Sequence, residues 1–267
     1  MNYYSFLVIT IILSGLYFFL NYFSILKEDT NYSAHKNIGK NNKNPIILGG
    51  IYFLLVILIL VPTLSISYKS IIILITVIGI LSDKNILPNP KIRLLMQICL
   101  IFYLVYSEGL NIYDLKVDFL NSLLSIKLLN LAFLVFCLAI LINGSNFIDG
   151  LNGLLTGYYL IVLISLFILD YHNDGILLTD KVFLKIIFFS LLFFFIFNLP
   201  GYVYLGDSGS YLISLLIGVY LINFYSLNLN YSSPYYIASL LWYPAFENFY
   251  SLSRRIFIKQ NLSTPDN

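Results

Sequence analysis

The sequence predicts an all-α integral membrane protein, a polytopic bundle of about nine transmembrane helices. Hydrophobic residues make up 59% of its 267 residues, charged residues make up only 10%, and the mean hydropathy is +0.86. This composition excludes a soluble globular domain, in which about 25% of the residues are charged. The net charge of +2 is also too small to indicate a protein that binds nucleic acid.

Nine apolar runs are long enough, or nearly long enough, for a helix that crosses a bilayer, which takes about 17–25 residues. The third, fourth and fifth runs are short, so we expect those helices to extend into flanking polar residues. No repeat or Pro-, Gly- or Ser-rich linker separates the runs, which predicts a single multi-pass membrane domain over residues 1–267. The runs cover residues 3–24, 46–63, 70–82, 93–107, 127–142, 153–169, 182–198, 209–228 and 234–251.

The Lys and Arg residues divide unequally when the polar segments between the runs are assigned alternately to two sides. By the positive-inside rule the richer side is cytoplasmic, which places the N-terminus outside and the C-terminus inside. The richer side holds ten of these residues: Lys27, Lys36, Lys40, Lys43, Lys84, Lys91, Arg93, Arg254, Arg255 and Lys259. The other side holds five: Lys69, Lys116, Lys127, Lys181 and Lys185.

Three acidic residues, Asp83, Asp149 and Asp207, lie at span ends on the predicted cytoplasmic side. An ionisable group at the membrane boundary is costly unless it is paired, hydrated or bound to a ligand, so each indicates a site. Clustered hard oxygen ligands suit Mg²⁺, which takes one or two carboxylates and leaves its other positions to water and substrate phosphates. We therefore expect the three carboxylates to line one cleft, close enough to share a cation and its phosphates.

A polar stripe follows the fifth run, where Asn143, Asn146, Asp149 and Asn152 recur at every third position. If the helix continues through them, they lie along one face. Helix capping would explain one or two of these residues but not all four, which favours a binding role. Asp207 taken alone would be explained as an N-cap of the eighth span.

Two basic residues, Lys91 and Arg93, begin the fourth run. A contact with phosphate and simple positive-inside topology explain them about equally well.

Taken in order, these motifs resemble the polyprenyl-phosphate N-acetylhexosamine-1-phosphate transferases, the membrane family that starts lipid-linked glycan synthesis in bacteria. The chain resembles the branch that serves O-antigen, capsule or other envelope polysaccharides rather than the muramoyl-pentapeptide enzyme. The motifs are Gly49-Gly50-Ile51, the Asp83 segment with Pro90, Lys91 and Gln97, the run NGSNFIDGLNGL from Asn143, LGDSGS from Leu205, and Tyr243-Pro244 through Glu247 to Arg254-Arg255.

The resemblance implies Mg²⁺-dependent transfer of a sugar 1-phosphate from a UDP-N-acetylhexosamine, such as UDP-GlcNAc, to polyprenyl (undecaprenyl) phosphate, with release of UMP. It implies a site at the cytoplasmic face of the bacterial inner membrane, with membrane lipid as a further partner, and it leaves a homodimer open. Carried over by position, the catalytic residues are Asp83 near the lipid phosphate, Asp149, and Lys91 in contact with phosphate. Asp149 and Asp207 are the Mg²⁺ ligands, and Asn143, Asn146, Asn152 and Lys91 bind substrate.

The chain departs from the family pattern at three places. Asp83-Lys84 stands where the family has two adjacent aspartates, and Asn152 stands where it has a second aspartate. The sequence also stops at Asn267, where the family continues into a loop with a His-x-His motif. It is thus either a fragment truncated at its C-terminus or a protein without this loop, and in both cases we expect the membrane core to be kept and the donor to bind poorly.

Two other classes of function compete with the transferase. The first is a catalytically impaired relative that binds lipid phosphate or acts as a scaffold in envelope-glycan assembly. The second is a transporter, which is disfavoured because transporters commonly contain inverted repeats with binding sites at the bilayer midplane. Here the polar clusters lie at span ends, and the sequence has no repeat.

Overall fold

The chain forms a bundle of α-helices in a computed structural model, which describes residues 3–23, 26 and 45–257 apart from the side chains of 252 and 255–257. Most of the basic segment that begins at Lys27 and the C-terminal residues 258–267 lie outside the described residues. The elements are α1 (Tyr3–Tyr22), β1 (Ile46–Ile47), α2 (Gly49–Leu60), α3 (Ile66–Asp83), α4 (Pro90–Ser107), α5 (Asp118–Leu124), α6 (Lys127–Ile148), α7 (Leu154–His172), α8 (Lys181–Asn198), β2 (Val203–Tyr204), α9 (Gly206–Leu227) and α10 (Pro234–Phe257).

Each of the nine apolar runs falls on a helix, and the predicted all-α, multi-pass membrane architecture is confirmed. Among the described residues, seven helices are long and apolar enough to cross a membrane, namely α1, α3, α4, α6, α7, α8 and α9. The predicted number of nine spans is not confirmed, because α2 has only 12 residues and α10, which contains Pro244, is not among the seven. The short helix α5 was not predicted, since no apolar run marks it.

Helices α3, α4 and α6 extend beyond their apolar runs, as expected. The Ser65 hydroxyl caps α3 by accepting a hydrogen bond from the Tyr68 backbone N–H at 3.0 Å. The Asn89 side chain caps α4 by accepting from the Lys91 backbone N–H at 3.0 Å. Such caps satisfy N–H groups that have no partner inside the helix. Helix α6 continues to Ile148 and so includes Asn143 and Asn146 of the predicted polar stripe, but not Asp149 or Asn152.

Helix α9 lies at the centre of the bundle. Almost all of its residues are buried, and it packs against α2, α3 and α6. A Cβ at Gly79 of α3 would lie 2.2 Å from the Ser208 Cα, and one at Gly50 of α2 would lie 2.4 Å from the Ser208 Cβ. Only glycine permits so close an approach of two backbones. These glycines therefore set the position of the first turn of α9.

Strands β1 and β2 bring the first turns of α2 and α9 together. The strands are parallel, with Ile46 opposite Val203 and Ile47 opposite Tyr204. The Leu48 backbone N–H donates to the Tyr204 carbonyl at 3.0 Å, which extends the pairing to the start of α2. Because each strand directly precedes its helix, this pairing helps to fix the two helix N-termini side by side.

The bundle has two distinct polar ends. At one end α3 finishes at Asp83 and α9 begins with Asp207 in its first turn, and we call this the Asp207 end. At the opposite end α3 begins and α4 finishes beside Glu108, and we call this the Glu108 end. The basic residues divide between the ends as the sequence predicts, with Lys84, Lys91 and Arg93 at the Asp207 end and Lys69, Lys116, Lys127 and Lys181 at the Glu108 end.

Candidate functional site

Asp83, the last residue of α3, binds the first turn of α9. Its Oδ1 accepts from the Asp207 backbone N–H at 2.7 Å, and its Oδ2 accepts from the Ser208 backbone N–H at 3.2 Å and the Ser208 hydroxyl at 2.8 Å. The N–H groups at a helix N-terminus lack intrahelical partners, and the helix dipole favours a carboxylate there. Gly206 has φ +71°, and a Cβ there would lie 2.9 Å from Asp83 Oδ2. Asp83 therefore holds Asp207 in place.

Asp207 lies in a polar cluster formed by α3, α4 and α9. Its Oδ2 accepts hydrogen bonds from Arg93 Nη1 at 2.8 Å, the Ser82 hydroxyl at 2.5 Å and the Tyr211 hydroxyl at 3.3 Å. Arg93 Nη1 also donates to the Ser82 hydroxyl. We call Ser82, Asp83, Arg93, Asp207 and Tyr211 the Asp207 cluster. The side chains of Arg93 and Asp207 are 22% and 24% exposed, and Oδ1 of Asp207 accepts no hydrogen bond from the described residues, so a ligand can reach it.

The two asparagines at the start of the polar stripe join α6 to its neighbours. Asn146 Oδ1 accepts from the Ser210 hydroxyl of α9 at 3.0 Å. Asn143 Nδ2 donates to Gln97 Oε1 of α4 at 3.0 Å. Gln97 is fully buried, and its Nε2 has no hydrogen-bond partner within the described residues. Both asparagines thus have interhelical contacts, and their substrate-binding role stays a prediction.

Asp149 is the C-cap of α6 and is 7% exposed. It lies one turn beyond Asn146, and Asp207 lies one turn before Ser210, so both carboxylates lie on the same side of the Asn146–Ser210 contact. The structure therefore places Asp149 at the Asp207 end, which is where the sequence predicts it.

Asn152 lies in the turn between α6 and α7, and its amide group is near Gly201 in the α8–β2 connection. Asn198 fixes this region, because its Oδ1 accepts from the Gly153 backbone N–H at 2.8 Å and its Nδ2 donates to the Val203 carbonyl at 2.8 Å. Asn198 is only 2% exposed, and its role in this region was not predicted. The predicted substrate contact of Asn152 is not tested by this geometry.

Lys91 lies in the first turn of α4 and is exposed at the Asp207 end. It forms no salt bridge within the described residues, so its ammonium group is available to an anionic ligand. Lys84 is likewise exposed, just after α3. The residue that precedes Asp83, Ser82, contacts the Asp207 side chain, whereas no contact of Lys84 with Asp207 is found within the described residues.

The structure brings Asp83 and Asp207 together and places Asp149 at the same end of the bundle. Within the described ranges, however, no group of three or more Asp, Glu, His or Cys side chains is arranged to hold a metal ion. Both oxygens of Asp83 accept hydrogen bonds from the first turn of α9, and the expectation that all three carboxylates share one cation stays a prediction. A reduced set of metal ligands, Asp149 and Asp207, stays a prediction.

The match to a known family covers this whole cluster. Residues 65–225, more than half of the chain, match the model of Glycosyl transferase family 4. The chain belongs to this family. The matched range includes every residue of the Asp207 cluster and the polar stripe, so the family resemblance that the motifs predict is confirmed.

Three relatives of this family 4 chain illustrate the similarity. The probable undecaprenyl-phosphate N-acetylglucosaminyl 1-phosphate transferase of Bacillus subtilis (strain 168) is 29% identical over 195 residues, which are 72% of this chain and 53% of that protein. The undecaprenyl-phosphate alpha-N-acetylglucosaminyl 1-phosphate transferase of Thermotoga maritima is 31% identical over 127 residues, 47% of this chain and 36% of that protein. The phospho-N-acetylmuramoyl-pentapeptide-transferase of Dictyoglomus thermophilum is 29% identical over 217 residues, 72% of this chain and 67% of that protein. The chain thus spans about half the length of the Bacillus relative.

Sequence reasoning missed Ser82 and Tyr211 in this family 4 site and left the role of Arg93 open. Tyr211 follows Asp207 by four residues, a spacing that places both on one face of a helix, so this signal was present. Ser82 carried no comparable signal, because a serine at the end of an apolar run is ordinary. The contact of Arg93 depends on how α4 packs against α3, which no local pattern predicts.

We expect the change Asp83→Asn to destabilise this family 4 fold. The amide nitrogen of Asn cannot accept a hydrogen bond, so one of the groups now bound in the first turn of α9 loses its acceptor. A buried donor left unpaired costs about 1–3 kcal/mol of unfolding free energy. Thermal unfolding of the detergent-solubilised protein measures this loss. Asp118→Asn, at an exposed carboxylate in the first turn of α5, is the control, and equal unfolding temperatures for the two variants would contradict the assigned contact.

Proposed function

We propose that the chain transfers N-acetylhexosamine 1-phosphate from a UDP-sugar to polyprenyl phosphate and releases UMP, with Mg²⁺ as cofactor. The observation that carries the proposal is the Asp207 cluster, in which Arg93 and an accessible aspartate meet at one end of a membrane bundle of family 4. Relatives named as undecaprenyl-phosphate N-acetylglucosaminyl 1-phosphate transferases support the acceptor and the sugar. Because one relative is named as a phospho-N-acetylmuramoyl-pentapeptide-transferase, the experiment described below also includes a donor of that class.

The proposed reaction is a phosphoryl transfer. An oxygen of the lipid phosphate attacks the β-phosphorus of the UDP-sugar and forms a new P–O bond. The bond from that phosphorus to the bridging oxygen breaks, and the electron pair leaves with UMP. Catalysis of such a transfer rests mostly on positioning and on electrostatic stabilisation of the phosphate oxygens. The protein therefore has to hold two anionic substrates in line at one place.

Lys91 and Arg93 supply positive charge for this task. The exposed Lys91 ammonium group is proposed to contact substrate phosphate as a point charge. The Arg93 guanidinium binds Asp207 through Nη1, and its Nε has no hydrogen-bond partner within the described residues. The remaining guanidinium donors are suited to phosphate oxygens. Both residues belong to the first turn of α4, so they approach the site from one side.

Asp207 and Asp149 are the residues proposed to hold Mg²⁺. The residues present fit the ion, because Mg²⁺ usually takes one or two protein carboxylates and completes its coordination with water and substrate phosphates. Oδ1 of Asp207 accepts no hydrogen bond from the described residues, which leaves one carboxylate oxygen for this use. When bound, the ion would polarise the phosphoryl group and offset the negative charge of the diphosphate.

Asp83 has two proposed tasks. It is the acidic residue assigned to the lipid phosphate, and its contacts with Asp207 and Ser208 give it a positioning task as well. Asn143, Asn146 and Asn152 are proposed to bind the nucleotide sugar. For Asn146 this requires a ligand that shares, or replaces, the hydrogen bond from Ser210.

The proposed location is the inner membrane of a bacterium, with the Asp207 end facing the cytoplasm. Two observations support it. When the polar segments are assigned alternately along the sequence, the side that contains Lys84, Lys91 and Arg93 holds ten of the fifteen Lys and Arg residues. The positive-inside rule makes that side cytoplasmic. The UDP-sugar donor is also a charged, water-soluble molecule, which has to reach the site from the aqueous side. The proposed product would supply envelope polysaccharides such as O-antigen.

A second candidate is a catalytically impaired relative that binds lipid phosphate or serves as a scaffold. Two observations favour it: Arg93 forms a salt bridge with Asp207, and the described residues contain no group of three metal-ligating side chains. Such a protein would bind polyprenyl phosphate without turning over a donor.

Product analysis separates the two candidates. The purified chain in proteoliposomes is given polyprenyl phosphate, Mg²⁺ and either UDP-N-acetylglucosamine or UDP-N-acetylmuramoyl-pentapeptide. We expect UMP and a lipid diphosphate-linked sugar in equal amounts, with the first donor preferred. Binding of polyprenyl phosphate without UMP from either donor would overturn the transferase and support the impaired relative.

A further inference from the structure

A polar cavity of about 270 Å³ opens at the Glu108 end of the bundle. Two carboxylates, Glu108 and Asp180, line it together with three aromatic residues, Tyr68, Phe183 and Tyr220. Asp180 is exposed and Glu108 is half-buried, whereas the three aromatic side chains are buried. Tyr220 lies thirteen residues after Asp207 on α9, about 20 Å along a helix that rises 1.5 Å per residue. The proposed transferase chemistry therefore does not use this cavity.

The Glu108 carboxylate has one oxygen without a hydrogen-bond donor. Its Oε1 accepts from the hydroxyls of Ser65 and Ser67, each at 2.6 Å. These two bonds hold the start of α3 against the end of α4. Its Oε2 receives no hydrogen bond from the described part of the chain, so one oxygen is left for a ligand.

Asp180 is the N-cap of α8, and within the described residues its side chain accepts one hydrogen bond, a long one of 3.4 Å from the Phe183 backbone N–H. Neither Asp180 nor Glu108 forms a salt bridge within the described residues. Other acids at this end do so, since Asp114 pairs with Lys116 at 2.7 Å and Asp170 pairs with a lysine at 2.9 Å. The cavity is thus lined by two carboxylates that form no salt bridge within the described residues.

The Tyr220 hydroxyl is a second, independent indication that the cavity binds a ligand. Its side chain is 8% exposed, and its hydroxyl has no hydrogen-bond partner within the described residues. Tyr220 lines the cavity together with Asp180 and Glu108. The Tyr220 ring stacks on Phe183, with centroids 6.0 Å apart and planes at 26°. A buried hydroxyl without a partner is costly, and a ligand that donates a hydrogen bond would satisfy it.

We propose that this cavity binds an organic ammonium group. An ammonium nitrogen has three N–H donors, which suit the carboxylates of Glu108 and Asp180 and the oxygen of Tyr220. The volume exceeds the needs of a single metal ion, and the described residues hold no set of three acidic, His or Cys ligands. The ammonium group can come from a membrane lipid headgroup or from a free polyamine.

Calorimetric titration of the whole chain in phosphatidylglycerol nanodiscs tests this site. The probes are short-chain phosphatidylethanolamine and spermidine, with short-chain phosphatidylglycerol as the lipid without an ammonium group. We expect one-to-one binding of at least one ammonium probe, and the probe that binds identifies the source. Glu108→Gln and Asp180→Asn keep the shape and the helix contacts, and each should weaken binding about tenfold or more, as expected for loss of a charge pair. Asp114→Asn is the matched control and should leave the affinity unchanged.

Tyr220→Phe keeps the aromatic stacking and removes only the unpaired hydroxyl, so a binding loss in this variant reports on the ligand rather than on folding. We expect it to weaken binding about threefold, as expected for one modest hydrogen bond. Absence of binding by both ammonium probes would overturn the proposal. It would also be overturned if Glu108→Gln and Asp180→Asn bound the probes like the unchanged chain, or if Mg²⁺ or Ca²⁺ displaced the probes at equal concentration. None of these outcomes depends on UMP release, so the two proposals fail separately.

Discussion

The variant Asp207→Asn is expected to lose UMP release by at least about 100-fold, because a carboxylate that binds a cation beside a transferring phosphoryl group is worth several kcal/mol of transition-state stabilisation. The replacement keeps the shape of the side chain and can still accept hydrogen bonds from Ser82 and Tyr211. It removes the charge that pairs with Arg93 and that is proposed to bind Mg²⁺. Initial rates of UMP release in proteoliposomes, at saturating donor and lipid, measure the effect.

The control for this variant is Asp118→Asn, which removes an exposed carboxylate at α5 outside the Asp207 cluster. We expect this control to release UMP at the same rate as the unchanged chain. The folded state of Asp207→Asn is checked by its unfolding temperature, which should fall by less than that of Asp83→Asn. A folded Asp207→Asn protein with a near-normal rate would remove Asp207 from the proposed metal site.

The variant Gly79→Ala is expected to prevent α3 and α9 from packing as observed. Its Cβ would lie 2.2 Å from the Ser208 Cα and 2.5 Å from the Ser208 backbone nitrogen. These are backbone atoms of a buried helix, so no side-chain rotation relieves the overlap. Overpacking of this kind costs about 1–3 kcal/mol, and more when backbone has to move. Because Asp83 lies four residues further along α3, the same displacement should disturb its bonds to α9.

The yield of folded protein and its unfolding temperature measure this effect. Gly15→Ala is the matched control, since a Cβ at that position of α1 has no neighbour within 4 Å. We expect Gly15→Ala to be neutral or slightly stabilising, as alanine is the better helix former. Equal folding of the two variants would contradict the close packing of α3 against α9.

The sequence was sufficient to predict the long helices and the end at which the described polar segments lie. A run of apolar residues in a membrane protein has few alternatives to a helix, because the bilayer offers no partners for backbone N–H and C=O groups. The number of spans was harder to predict. Helix α2 is apolar throughout but has only 12 residues. Helix α10 is long, but Tyr, Trp, Pro and polar residues interrupt its apolar run, and it is not among the seven spanning candidates.

The partners of the site residues could not be predicted. Asp83 was expected at the lipid phosphate, and its observed bonds to the first turn of α9 depend on a contact between residues 124 positions apart in the chain. The pairing of Arg93 with Asp207 is of the same kind. Such contacts follow from the way the helices pack against one another, and spacing along one helix carries no information about them. The contact of Ser82 with Asp207 was missed for the same reason.

The fate of the β-phosphate most directly tests the proposal that the chain transfers a sugar 1-phosphate to the lipid. The purified chain is incubated with Mg²⁺, polyprenyl phosphate and a UDP-N-acetylhexosamine that is radiolabelled in its β-phosphate, and the lipid and water-soluble products are then separated. The proposed phosphoryl transfer predicts that the label moves into the lipid while unlabelled UMP is released, and that Asp207→Asn leaves the label in the donor. Label recovered in UDP beside a glycosylated lipid, or no transfer of label into the lipid at any donor concentration, would contradict it.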